Sequence, residues 1–268
     1  MAVDIKFLWT ALAVLLATLL LLLFFLLGTA ATRPLWRENG FVENISALSY
    51  LTGLLLCGYF AFRFPHPHRL FLIMWAVLCL VFFGEETSWL QHQIGFVTPD
   101  WIAARNAQRE FNIHNLTPLQ GGALLDGDFH WRVLLKSQHL FQAGFVGYFL
   151  LLPVLSVLPP TGRWIARLQV PYPGWNLMLG IWAAVAISVV LTVMSNEETR
   201  SAIAETREMI YALSILAFLG AYVSQLSVIA SRHTGIFKDA RWAAGDSRSG
   251  RRPAIRYPKL WHRTRNPD

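Results

Sequence analysis

No charged side chain occurs between Lys6 and Arg33, and the residues from Phe7 to Thr32 are apolar, glycine or threonine. About 20 apolar residues suffice for a helix to cross a hydrocarbon core of about 30 Å. Lipid offers no partner to an exposed backbone, so such a run is stable there only if its N–H and C=O groups are paired within the segment, as in a helix. The small residues Gly28, Thr29, Ala30 and Ala31 also resemble a signal-cleavage site. Signal cores are about 7 to 15 residues long, and retention as a span is the expectation.

Further apolar runs occur at 43–64, 69–86, 137–158, 174–194 and 205–229, which with 7–28 makes six expected spans. Composition agrees: 54% of the 268 residues are hydrophobic, 15% are charged and the mean hydropathy is +0.41, unlike a soluble globular chain. The fold class expected is all-α, a polytopic transmembrane bundle over 1–231 followed by a basic, disordered tail over 232–268. Prolines in "FPHPH" and "LPPTG" punctuate the turns, since proline lacks the N–H that would continue a helix. Cys57 and Cys79 both fall inside spans, where they are expected to pack as small apolar groups.

Basic residues set the orientation of such a bundle. With alternating loops, fifteen of the 23 lie on the side of the two termini and eight on the other. Both termini are therefore expected in the cytoplasm. Of the 16 acids, all but Asp4, Asp239, Asp246 and Asp268 fall on the opposite, extracytoplasmic side, which the positive-inside rule does not require.

Those acids mark a candidate site. Glu43 heads a stripe at helical spacing, Glu43, Ser46, Tyr50, Gly53 and Cys57, of the small and polar kind that packs helices in lipid. The last span opens with Ser195 three residues before Glu198, a capping-box spacing, and carries Glu205 and Glu208 on one face. The loop after the third span is about fifty residues long, and a connection of that length is commonly functional. In "TPDWIAARNAQREFNIHN", Thr98 as cap and Pro99 at the first position predict a helix to about Phe111. Glu110 and His114 would share a face if it continued.

Glu85 and Glu86 close the third span at its C-terminal end, where a carboxylate opposes the helix dipole. A metal, an arginine such as Arg105 or Arg109, or a shared proton would resolve the conflict. Candidate catalytic residues are accordingly Glu85, Glu86, Glu110 and His114. Gln91, Asn106, Gln108, Asn112, Asn115 and Glu43 are candidates for binding substrate, and Glu86, Glu110, His114, Glu205 and Glu208 for holding a metal. Carboxylates with an imidazole suit zinc, manganese or iron. His92, His130 and His139 lie on the same side.

"RENGFVE" (37–43), "GEETSWLQ" (84–91) and "NAQREFNIHN" (106–115) together resemble a group of uncharacterised bacterial polytopic membrane proteins, with Asn39 and Leu90 departing from its pattern of Asp and Gly. The resemblance implies a multi-pass protein of the bacterial inner membrane and no particular activity. Ser88 and His92 also match the Ser-x-x-x-His spacing of alkaline ceramidase-like hydrolases, but the His-x-x-x-His of that family is absent.

From Ser231 onward ten basic residues face three acids, a composition drawn to anionic headgroups. No nucleic-acid recognition fold is visible. Two functions fit these residues: a membrane enzyme, metal-dependent or not, acting on a lipid or lipid-linked substrate at the outer acidic site, or a non-catalytic subunit or scaffold whose polar cluster is a structural hydrogen-bond network.

Overall fold

The computed structural model describes residues 40–64, 68–116, 136–195 and 197–243; the expected first span, 7–28, lies outside them. The described residues form helices and turns with no strand, only an isolated bridge between Asn106 and Leu116. Among the described residues, five helices are long and apolar enough to cross a membrane. They are α1 (Phe41–Ala61), α2 (His68–Glu86), α5 (Ser137–Val157), α7 (Trp175–Met194) and the Ala202–Val228 stretch of α8 (Glu197–Ala243). Between them lie α3 (Gln91–Ile94), α4 (Asp100–Ala103) and α6 (Pro159–Leu168).

α8 is the centre of the bundle: 67% of its span is buried, against 17 to 39% for the other four. Small and hydroxyl residues permit this, because Ala202, Thr206, Ala212 and Ser214 let neighbours approach. Thr206 and Ser214 donate to the carbonyls one turn back, of Ala202 and Ile210. Each hydroxyl thus has an acceptor within its own helix. α1 and α2 form a hairpin against α8, and a Cβ on Gly53 would come within 2.9 Å of the Cys79 sulfur. Arg69 donates from Nε to the Ala61 carbonyl at 3.1 Å, closing the end of α1.

The core is aromatic. Trp75, Tyr148, Phe149, Phe218 and Tyr222 meet ring to ring with centroids 5.3 to 6.3 Å apart, a geometry that adds to simple burial. The outward faces are apolar as well, with Leu48, Leu55, Ile73, Val77, Leu179 and Val190 exposed. In water such continuous surface would aggregate; in lipid it is the solvated surface.

α5 contains one wide turn, Gly147–Leu151. Pro153 has no N–H for the Phe149 carbonyl four residues earlier, and Trp182 of α7 donates its indole Nε1 to that oxygen at 3.2 Å. A second proline effect runs against expectation: Pro159, expected only to end a span, is also the first residue of α6, where its fixed φ suits a helix start. Ser195, expected to open α8, also serves the preceding helix. Its hydroxyl bonds back to the Leu191 carbonyl at 2.6 Å and closes α7. The helical backbone of α8 continues through Ala243, past the boundary expected at 231; residues 244–268 of the basic tail lie outside the described residues.

Candidate functional site

The two motifs at 84–91 and 106–115 interlock. α2 ends at Glu86, and Ser88, Trp89 and Leu90 then adopt φ values of 46°, 55° and 65°. Each left-handed non-glycine residue costs about 1–2 kcal/mol, so three in succession need strong local support. Thr87 bonds the Phe83 carbonyl at 2.8 Å and accepts from the Leu90 amide at 3.3 Å. The Trp89 indole donates to Glu85 Oε1 at 3.0 Å. The tight turn aims Ser88 and Gln91 at the loop.

The loop docks through its own amides. Glu85 Oε2 accepts from the backbone N–H groups of Ile113 at 2.7 Å and His114 at 2.8 Å, with the His114 Nδ1 at 3.2 Å. Successive amides converging on one oxygen form an anion-binding nest, which answers the unfavourable dipole at this helix end. Gln91 Oε1 accepts from the Phe111 amide at 2.8 Å. Ser88 donates to Glu110 Oε2 and accepts from Asn112 Nδ2 at 3.0 Å, while the His92 Nε2 meets Glu110 Oε1 at 2.8 Å.

Asn106 shapes the loop itself. Its side-chain oxygen accepts from the amides of Gln108 and Glu110, and its Nδ2 donates to the Asn112 carbonyl and side chain at 3.0 and 2.8 Å. Asn115 donates to Gln108, and the Ala107 amide donates to the Asn115 carbonyl at 2.9 Å. These competing bonds end the helix expected to reach Phe111. α4 is a single turn, Asp100–Ala103, capped by Pro99 rather than Thr98, and Arg109 turns left-handed at φ 60°. Glu110 and His114 consequently share no helix face; each is drawn to a different residue of the α2 end.

A second group forms beside this latch. Glu86 lies within electrostatic reach of Glu208, Glu43 and Glu205 as well as Glu85, and the buried Tyr50 is within reach of Glu86 and Glu208. Packing explains the meeting, since Val42 and Met209 are in one apolar cluster and each precedes or follows an acid of the group. Gln138 at the start of α5 donates to Glu208 Oε1 at 3.1 Å. His114 and Arg207 also lie within reach of Glu208.

The expected site residues thus divide. Glu85, Gln91, Asn106, Gln108, Glu110, Asn112, His114 and Asn115 belong to the latch; Glu43, Glu86, Glu205 and Glu208 belong to the acidic group, with His114 between them. The five anticipated metal ligands do not assemble as one set, and no group of three or more His, Cys, Asp and Glu suited to an ion occurs among the described residues. The physical reason is that Ser88, Asn112 and His92 already engage both oxygens of Glu110. His130 lies outside the described residues. Gly84, Thr87, Trp89 and Gln138 carry much of this geometry and were not singled out by spacing; the polar opening of an apolar span, Ser137, Gln138 and His139, was the available signal for Gln138.

The class this defines is an all-helical protein whose long apolar helices are fit for a membrane. Comparison with protein-family models, with curated proteins and with solved structures finds no match to the chain.

Proposed function

We propose that the chain is a bacterial inner-membrane protein of six spans with both termini cytoplasmic, and that its outer face acts on the polar part of a lipid or lipid-linked substrate at the acidic group of Glu43, Glu86, Glu205 and Glu208. The orientation rests on the excess of basic residues on the side of the termini. In this reading the interlocked motifs are the scaffold and Glu86, with Glu208, supplies the acid–base chemistry.

The observation that carries the reading is the different fate of two adjacent acids. Glu85 is surrounded by donors from Trp89, Ile113 and His114, as a structural carboxylate should be. Glu86 lies instead within electrostatic reach of other carboxylates and of the Tyr50 hydroxyl. Grouped carboxylates in a low dielectric share a proton or attract a cation, and ionisable groups of membrane segments mark functional sites by default.

The test is complementation of a deletion strain beside measured abundance. Glu86→Gln should accumulate normally and fail to complement, whereas Glu85→Gln should lose abundance. A Glu86→Gln protein that complements fully, or that disappears in parallel with Glu85→Gln, overturns the reading.

One observation favours a second reading, a non-catalytic subunit or scaffold. Ser88, Asn106, Glu110 and Asn112 are engaged with one another and Gln91 with the Phe111 amide, which is what a purely structural network requires.

A further inference from the structure

At the end of the bundle away from the acids, α5 does not run into a loose connection. It folds back into α6, and the joint is tight: a Cβ on Gly162 would meet the Ser156 carbonyl oxygen at 2.4 Å. The Gly162 amide donates to the Leu158 carbonyl at 2.8 Å, and Thr161 Oγ1 donates to the Leu155 carbonyl at 2.5 Å. α6 therefore leaves the end of an apolar span at an angle held by backbone contacts.

At about 100° per residue, the ten residues of α6 sort into three directions. Ile165 is buried against the protein, Trp164 and Leu168 are 63% and 66% exposed on a neighbouring strip, and Arg163 and Arg167 follow on the next. The Arg167 guanidinium stands over the Trp164 ring at 5.4 Å from its centroid, and Arg163 bonds the Pro159 carbonyl through Nε at 3.1 Å. No acid occurs anywhere between Ser137 and Met194.

We infer that α6 is an interfacial helix that docks on the anionic lipid surface, with Trp164 and Leu168 entering the acyl boundary and Arg163 and Arg167 engaging headgroup phosphates. Two features name this occupant. The apolar strip begins where the span Ser137–Val157 leaves the hydrocarbon, and two cations without a local acid match an anionic leaflet. Tryptophan with arginine beside it is the side-chain pair that the headgroup layer accommodates, ring in the boundary and charge in water. The inference is independent of the acidic group at the other end.

The experiment uses the full chain in nanodiscs of phosphatidylcholine with or without phosphatidylglycerol. A nitroxide is placed at Leu168→Cys or at Arg163→Cys in a Cys57→Ser, Cys79→Ser background that retains the native spectrum. Position 168 should relax with oxygen and position 163 with a water-soluble nickel chelate. In the second arm, Arg163→Gln with Arg167→Gln should lower retention of phosphatidylglycerol several-fold while bundle stability holds. A label at 168 open to the nickel chelate, or shielded from both reagents as in a protein contact, overturns the proposal, as does unchanged phosphatidylglycerol retention.

Discussion

The Trp89 ring lies so close over Gly84 that a Cβ there would stand 2.7 Å from its indole carbons. Backbone freedom is not the reason for this glycine, because it sits inside α2; space is. The contact lets the chain reverse immediately after a membrane-length helix and brings the Trp89 Nε1 back to Glu85. Gly84→Ala should expel the ring and loosen the three left-handed residues that follow. A loss of about 1–3 kcal/mol is expected, read as a lower unfolding midpoint in detergent, while Trp89→Phe should keep the packing and lose only about 1 kcal/mol for the missing bond.

Glu85 and Glu86 should respond oppositely to the same isosteric change. Hydrogen bonds to a charged acceptor are worth about 1.5–3 kcal/mol, and Glu85→Gln weakens those from Ile113 and His114. Glu86→Gln removes a like charge from among Glu208, Glu43 and Glu205 and should leave the midpoint unchanged or higher. Parallel thermal unfolding of the two purified variants decides this.

Asn106 holds the loop from within, so its loss should be local and visible before it is global. In Asn106→Ala the amides of Gln108 and Glu110 lose their acceptor, and hydrogen exchange there should quicken at least ~5-fold for about 1 kcal/mol per bond lost. Asn106→Asp keeps the acceptor and loses the donor to Asn112, and those two amides should stay protected.

The Trp182 bond to the Phe149 carbonyl exists because Pro153 cannot donate to it. Trp182→Phe leaves that oxygen unpaired in an apolar layer and should cost about 1–3 kcal/mol. In a Pro153→Ala background the restored amide can take the carbonyl, and the same change should become nearly neutral. A double-mutant cycle by unfolding midpoint measures the coupling; additive effects would show that Pro153 is not the cause.

Much of the bundle was legible in the chain. The expected runs 43–64, 69–86, 137–158, 174–194 and 205–229 each fall within a few residues of a long apolar helix, because length and apolarity are local properties that a bilayer selects directly. Meeting of the acids at one end follows from the same alternation. α6 was also readable, as Trp164 and Leu168 beside Arg163 and Arg167, but its prolines signalled a turn more strongly than a helix start.

What the sequence determined by itself is where the membrane-length helices lie and at which end the polar motifs gather. Only the tertiary structure decided which neighbours each carboxylate meets. Glu85 and Glu86 have the same chemistry and differ by one residue, yet about 100° of helix rotation separates them, and one accepts from the amides of Ile113 and His114 while the other lies within electrostatic reach of Glu208. No spacing rule contains that choice, because it depends on where the loop shaped by Asn106 comes to rest and on how α1 and α8 pack around the end of α2.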